Sequence, residues 1–180
     1  MTTTLVRTGS AMAVAGLLVG MLSACTPEAK PTPEPTKTAA FASDEEAFAA
    51  AEETYRAYVD ALNASDLRRP ESFDPVYVLL TGSALDAERE SVSKYQAAEL
   101  SRTGESTFDQ FTPLEAEDDT VTANLCIDVS AVQLSYPDGS SALPPDRVTR
   151  DGRKVTFVRG QSPTGLRISS NHAPEGDFAC

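Results

Sequence analysis

A helical pattern of apolar residues opens the part of the chain that is predicted to fold. Ser43-Asp44-Glu45-Glu46 has the sequence of a capping box, in which Ser43 accepts from a first-turn N–H and Glu46 reaches back. Apolar residues then recur at spacings of three and four, at Phe48, Ala51, Tyr55, Tyr58, Val59 and Leu62. The spacing predicts one amphipathic helix of about twenty residues, ending near 63–66.

Two further helical segments are predicted before the pattern changes. Pro75 can open a short helix, although the run 76–80 is also short and apolar enough for a strand. A longer helix is predicted over 83–102, with Gly104 as its C-terminal stop. Its buried side would carry Leu85, Val92, Tyr95, Ala98 and Leu100.

After Gly104 the period changes to two, which is typical of strands. Residues 121–130 alternate cleanly, with Val121, Ala123, Leu125, Ile127 and Val129 on one face and Thr122, Asn124, Cys126, Asp128 and Ser130 on the other. A partner strand is predicted at 106–115, with a turn at 117–119. Further along we predict a turn at 136–139, a loop at 143–151, and two closing strands at 154–159 and 166–170.

The N-terminus has a different character. Residues 11–22 are uninterruptedly apolar and end in Leu22-Ser23-Ala24-Cys25. A helix of about a dozen residues would span roughly 18 Å, short of a hydrocarbon core of about 30 Å, so length favours a signal peptide over a transmembrane helix. The four residues resemble the lipobox of bacterial lipoproteins. That resemblance implies a diacylglyceryl group on the Cys25 thiol, with fatty acyl chains such as palmitate, and cleavage before Cys25; ordinary secretion is the alternative. Two acyl chains suffice for stable anchoring.

A spacer follows the cysteine. Residues 26–40 contain Pro27, Pro31, Pro33 and Pro35, no aromatic residue, and interleaved glutamate and lysine. Proline fixes φ and has no N–H, which predicts a semi-rigid polyproline-like tether rather than a helix or central strand. We therefore divide the chain into a signal peptide at 1–24, a lipidated cysteine and tether at 25–42, and one domain at 43–180.

Composition narrows the classes of partner. The chain has a net charge of −12, and removal of the signal peptide would remove only Arg7 from its basic residues. This acidity excludes nucleic acid as an expected partner. With Cys25 assigned to lipid, Cys126 and Cys180 form an even pair that predicts a disulfide in an oxidising compartment, the alternative being two free thiols. His172 is the sole histidine, and no metal-ligand spacing is present, so we expect no metal and no cofactor.

Helices followed by strands predict an α+β domain, with helices on one face of a curved antiparallel sheet. Residues 55–63 (YRAYVDALN) and 125–130 (LCIDVS) resemble domains of the NTF2-like cone fold. Together with the lipobox, the chain looks like an actinobacterial cell-envelope lipoprotein that carries such a domain. The resemblance implies a pocket inside the cone, a sheet that can pair with a second copy, and, in the enzymes of the superfamily, a carboxylate, tyrosine or histidine within the pocket.

The inward-pointing candidates for such a pocket are Tyr55, Tyr58, Tyr77, Tyr95 and Asp128. A buried aspartate could act as a general base and a tyrosine could stabilise an oxyanion. Tyrosines at helical spacing are also ordinary core residues, and Asp128 shares a strand face with polar neighbours. We therefore assign no catalytic residue. His172 is expected in an exposed loop, and a basic cluster at Arg153, Lys154, Arg159 and Arg167 is either a docking patch or a solvated sheet face.

These expectations combine into one hypothesis. The chain is expected on the extracytoplasmic face of the cell membrane, anchored through Cys25, with a non-catalytic domain that binds a small ligand or an envelope protein. The alternatives are an isomerase- or dehydratase-type enzyme with a cone pocket, and a structural component that forms a homodimer through its sheet.

Overall fold

The computed structural model describes residues 41–180. The predicted signal peptide at 1–24, the lipobox with Cys25, and the tether up to residue 40 lie outside the described residues. At the start of the described part, Phe41 packs against the core and the Ala42 N–H donates to the Glu46 carboxylate at 2.8 Å. No helix within 41–180 has the length and apolarity needed to cross a membrane.

The helices come first along the chain and the strands follow. Helix α1 spans Asp44–Ala64, α2 spans Asp74–Val78 directly after a 3₁₀ turn at Pro70–Phe73, and α3 spans Gly82–Ala97. The strands are β1 (Ser101–Thr103), β2 (Thr107–Glu117), β3 (Thr120–Asp128), β4 (Gln133–Ser135), β5 (Arg150–Arg159) and β6 (Leu166–His172). The main sheet is antiparallel in the order β2-β3-β5-β6, and β1 pairs with β4 in a separate ribbon.

The core lies between α1, α3 and one face of the main sheet. Alternation in β3 buries Val121, Ala123 and Leu125 completely, and β5 places Val155 and Phe157 opposite Ala123 and Val121. These side chains meet the apolar stripe of α1 in one cluster. The α+β prediction is therefore confirmed: helices pack on one face of a curved antiparallel sheet, as in an NTF2-like cone.

Local signals account for the first two helices. The Ser43 hydroxyl accepts from the Glu46 N–H at 3.2 Å, so the predicted cap is present, and α1 ends at Ala64, inside the predicted range. The helix predicted at Pro75 is confirmed as α2. Within 76–80, the strand alternative applies to Leu80 alone, which makes an isolated parallel bridge to Ile168.

Helix α3 ends five residues earlier than predicted. Glu99 takes the left-handed conformation at φ 54°, the Leu100 N–H donates to the Tyr95 carbonyl and the Glu99 N–H to that of Gln96, both at 2.9 Å. This is a Schellman motif with glutamate where glycine is usual, so no glycine marked it in the sequence. Gly104 instead lies beyond β1, where a Cβ would collide with the Ala131 carbonyl.

The four strands of the main sheet are predicted at the right places, but the start of β5 and the two short strands of the ribbon are not. The β2–β3 hairpin, its turn near 117–119 and strand β6 are confirmed. Strand β5 begins at Arg150 rather than at 154, and β1 and β4 were not predicted. Strand β5 extends back to Arg150, which pairs with Asp128 at the end of β3. Because β3 is an interior strand, its backbone groups need partners on both sides.

Cys126 and Cys180 form a disulfide, as the even cysteine pair predicts. The bond lies on the outer face of the sheet, where Cys126 is opposite Gly152. A Cβ on Gly152 would lie 3.1 Å from side-chain atoms of both Pro174 and Phe178, so the C-terminal tail passes over this point of the sheet. The disulfide and these contacts hold the tail against the face opposite the helices.

Candidate functional site

A cavity of about 580 Å³ opens among the helices and the inner face of the sheet. Its volume falls within the range of about 300–1,000 Å³ that is usual for small-molecule pockets. Most of its lining is apolar and includes Val59, Leu62, Phe73, Leu80, Val92 and Ile168. Tyr95 and Val148 line the cavity and are also exposed, which places an opening between α3 and the segment before β5.

Three of the five predicted pocket residues line this cavity: Tyr55, Tyr58 and Tyr95. Tyr77 does not line the cavity, because α2 directs Val76 into the core and Tyr77 away from it. The Tyr77 ring stacks on Phe73, and the Arg89 guanidinium lies 5.2 Å from the centroid of the Tyr77 ring. Asp128 does not line the cavity either, and the pocket prediction is corrected at both positions.

Asp128 belongs to the outer side of the sheet. It follows Ile127, which faces the cavity, and successive residues of a strand point to opposite faces. Its carboxylate accepts from the Ser130 N–H at 2.8 Å and lies 3.8 Å from Arg150. Hydrogen bonds from Ser130 hold the pKa of Asp128 below its ordinary value, so it is an ionised surface carboxylate rather than a buried base.

The first polar group of the cavity joins α1 to α3. The Tyr58 hydroxyl donates to Glu88 Oε2 at 3.0 Å. Burial raises the pKa of Glu88, against the lowering effects of the Tyr58 hydrogen bond and the charge of Arg102. Burial, followed by the Glu88 charge, raises the pKa of Tyr58 well above its ordinary value, so Tyr58 keeps its proton near neutral pH and stays a donor.

Arg102, on β1, closes the C-terminal end of α1. Its guanidinium donates to the Leu62 carbonyl at 2.9 Å, to Asn63 Oδ1 at 3.0 Å and to the Ser106 hydroxyl at 3.2 Å. The last turn of α1 has no basic residue of its own, so Arg102 supplies the charge that complements the helix dipole. Burial lowers the pKa of Arg102, and the negative charge of Glu88 opposes this effect. The two side chains therefore interact electrostatically at this end of the cavity.

A second polar group comes from the sheet. Arg153 and Asp151 on β5 and Asn171 on β6 line the cavity beside Tyr55. Arg153 and Asp151 form an ion pair at 3.0 Å. Burial raises the pKa of Tyr55 to about 12, opposed by its hydrogen bond to Asn171 and by the charge of Arg153. Tyr55 is therefore a neutral hydroxyl, with its ring edge-on to Phe108 at 4.9 Å between centroids.

Sequence reasoning missed Glu88, Arg102 and Asn171 as cavity residues. A signal for Glu88 was present, because it precedes Val92 by four residues and Tyr95 by seven and so lies on the apolar stripe of α3. Arg102 was missed because the helix was extended through it. Asn171 was missed because the last strand was ended at 170, two residues before its observed end.

The predicted basic cluster is dispersed. Arg153 faces the cavity, while Arg159 lies 3.4 Å from Asp119 and Lys154 lies 3.9 Å from Glu175. Arg167 donates to the Leu80 carbonyl, where β6 meets the end of α2. His172 is exposed at the end of β6, with Nδ1 2.9 Å from the Ala173 carbonyl, rather than in the loop predicted for it.

The arrangement can hold an uncharged molecule. Among the described residues, two positive and two negative side chains line the cavity, so their charges balance when Glu88 is ionised. Within residues 41–180, histidine, cysteine, aspartate and glutamate side chains form no group of three or more that could hold a metal ion.

Comparisons with known proteins give distant similarities. No protein-family model and no curated protein matches the chain. Among solved structures, Aln2 from a Streptomyces species is similar at 16% identity and a TM-score of 0.42, over 70% of this chain and 88% of that one. A Catenulispora acidiphila protein in complex with S-DNPA is similar at 16% identity and a TM-score of 0.45, over 71% and 92%. A candidate aromatic ring hydroxylase from Novosphingobium aromaticivorans is similar at 14% identity and a TM-score of 0.45, over 73% and 89%.

Proposed function

We propose that this chain is a lipid-anchored protein of the extracytoplasmic face of the cell membrane, whose domain binds a small, largely apolar molecule without converting it. The observation that carries the binding role is the cavity of about 580 Å³, lined mostly by apolar side chains, with polar groups around Glu88 and Arg153 and the hydroxyls of Ser91 and Thr149. Such a lining is typical of small-molecule sites, in which a few polar groups orient a ligand held by apolar contact.

The size of the cavity supports a ligand rather than a packing defect. A cavity of about 150 Å³ already accepts benzene, and each water in the liquid takes roughly 30 Å³. The cavity is open beside Tyr95 and Val148, and its volume of about 580 Å³ is several times the roughly 150 Å³ that accepts benzene.

The lipid anchor rests on the sequence. Leu22-Ser23-Ala24-Cys25 after an apolar run and before a proline-rich spacer supports acylation of Cys25. The disulfide between Cys126 and Cys180 suits an oxidising compartment. To test the anchor, cells would be labelled with an alkyne analogue of palmitate. Incorporation into the wild type and its loss in Cys25→Ser, with release of that variant from the membrane, is expected; equal labelling of both would refute the anchor.

Ligand binding is tested by native mass spectrometry of the secreted Cys25→Ser protein. Mass in excess of the polypeptide that is lost on denaturation is expected. A matched control is Ala84→Phe, since Ala84 lines the cavity on α3 and a larger side chain there would fill it. The excess mass should disappear in this variant. If the protein carries no excess mass and takes up no apolar probe, the binding role is refuted.

One observation favours a second function, proton transfer of the isomerase or dehydratase type. Glu88 faces the cavity, its pKa is raised by burial, and it lies 3.0 Å from the Tyr58 hydroxyl. A carboxyl with a raised pKa can accept and return a proton near neutral pH. The captured molecule would be incubated with the protein in D₂O. Deuterium incorporation or a new product, lost in Glu88→Gln, would establish this function over simple binding.

A further inference from the structure

The hydrogen-bonding capacity at the Glu88 end of the cavity is unevenly distributed. The Tyr58 hydroxyl has one proton, and it is donated to Glu88 Oε2. Arg102 makes three hydrogen bonds to oxygens of Leu62, Asn63 and Ser106. The Asn63 side chain is also engaged, because its Nδ2 donates to the Ser106 carbonyl and its Oδ1 accepts from the Ser106 N–H, both at 2.9 Å. The Tyr58 proton and three of the five Arg102 N–H groups are thus already donated to protein oxygens.

Glu88 itself has unused capacity to accept hydrogen bonds. An ionised carboxylate offers about four acceptor positions on its two oxygens. Within residues 41–180, the hydrogen bond found for this carboxylate is the one from Tyr58 to Oε2. Glu88 lines the cavity, so Oε1 is an acceptor available to an occupant. A ligand that brought an O–H or N–H donor would meet this need, whereas a ligand with acceptors alone would bury the carboxylate without a partner.

The charged side chains of the cavity indicate whether the donor group of a ligand should be neutral or ionised. An ammonium group beside Glu88 would also face the Arg102 guanidinium, whose charge interacts with Glu88. A carboxylate ligand would face Glu88 itself. The other cavity charges, Asp151 and Arg153, are already paired at 3.0 Å. The other polar side chains of the lining, Ser91, Ser106, Thr149 and Asn171, are uncharged. An ion would therefore lose hydration in a mostly apolar cavity without gaining an unopposed charged partner.

We infer that Glu88 is the specificity-determining residue of the cavity, and that it selects neutral molecules carrying a hydroxyl or N–H group on an apolar body, such as phenols and alcohols. This inference rests on the proposed binding function and names the chemistry that the bound molecule must offer. Tyr58 acts as a positioning residue, because its hydrogen bond to Oε2 fixes the carboxylate and leaves Oε1 for the ligand.

A matched series of probes tests the inference. Binding of 2-naphthol, 2-methoxynaphthalene, 2-naphthoate and 2-naphthylmethylammonium to the Cys25→Ser protein would be measured by equilibrium dialysis near neutral pH. The first two differ in one hydrogen-bond donor. We expect 2-naphthol to bind at least about tenfold more tightly than its methyl ether, since a hydrogen bond to a charged group is worth more than one factor of ten. The anion and the cation should both bind more weakly than 2-naphthol.

Variants assign the preference to one residue. Glu88→Met keeps the length of the side chain and removes the acceptor, so the preference for 2-naphthol should fall to about onefold while the methyl ether still binds. Glu90→Met is the control on the same helix, because Glu90 is exposed and pairs with Lys94 at 2.6 Å; it should keep the wild-type preference. The ranking of probes by the wild type needs no variant, so the test survives a variant that fails to fold.

The outcomes separate the two proposals. Equal binding of 2-naphthol and its methyl ether, or tighter binding of either ion, would overturn the assigned ligand class while the binding function stands. A preference that persists in a folded Glu88→Met would overturn the role of Glu88. Failure of all four probes to bind would count against the binding function itself and remove the basis of this inference.

Discussion

Removal of the disulfide by Cys180→Ser should destabilise the domain by an amount that the chain separation sets. Cys126 and Cys180 are 54 residues apart, and a cross-link closing a loop of this length contributes about 4 kcal/mol in the chain-entropy model. Cys180 is the better position to change. Cys126 is completely buried, and a serine there would add an unsatisfied hydroxyl to the measured effect.

The loss should appear as a lower melting temperature. For a domain of this size, about 4 kcal/mol corresponds to a fall of roughly 8–16 °C. Circular dichroism would follow thermal unfolding of the Cys25→Ser protein with and without the Cys180→Ser change. Reduction by dithiothreitol of the protein that keeps Cys180 should give the same loss without that change. Reduction should have no further effect on the Cys180→Ser variant, which serves as its own control.

A loss below about 1 kcal/mol in both experiments would refute this reasoning. It would mean that the denatured chain is already as restricted as the cross-linked one, or that the tail is held as firmly by Pro174 and Phe178 over Gly152 as by the bond. A loss in the variant but none on reduction would show that the effect comes from the substituted side chain and not from the cross-link.

Three further predictions concern single side chains, each measured by urea unfolding. Tyr58→Phe removes the donor to Glu88 and should lower the free energy of unfolding by about 1–2 kcal/mol; an unchanged value would show that water replaces the bond. Glu88→Gln should gain stability relative to the wild type as pH rises from 4 to 8, because burial raises the native pKa of Glu88 and stability is lost as it ionises; a difference that does not change with pH would contradict this. Glu99→Gly should raise stability by about 0.5–1 kcal/mol, since φ is 54° there, and a loss would argue against the Schellman end.

The elements that the sequence predicts well are those with local signals. Each of these signals is contained within a short stretch of consecutive residues: the cap at Ser43, the three-and-four spacing of α1 and the alternation of β3. The structure has the corresponding elements at the expected places. Strand β5 shows the opposite case. Its first residues, Arg150 and Asp151, are polar and become strand because the interior strand β3 requires a partner along its whole length.

The cavity was predictable in kind but not in its chemistry. The two tyrosines of α1, Tyr55 and Tyr58, were identified because they lie on its apolar stripe, and both line the cavity. Glu88 lies on the corresponding stripe of α3, where a charged residue among apolar ones indicates either a functional group or an irregularity. Which of the two applies depends on the side chain that Glu88 contacts across the cavity. That side chain is Tyr58, which lies thirty residues earlier in the chain and cannot be identified as a partner from the local sequence.

The end of α3 connects the fold to the site. Because the helix stops at Ala97, Ser101–Thr103 become β1 and pair with β4. That pairing sets Arg102 beside the last turn of α1, where it binds the Leu62 carbonyl and Asn63. A continuous helix through 102 would have left this turn without a cation and Glu88 without the positive charge that opposes the rise in its pKa. One left-handed residue, Glu99, thus sets both the capping of α1 and the electrostatic balance on which the choice of a neutral ligand depends.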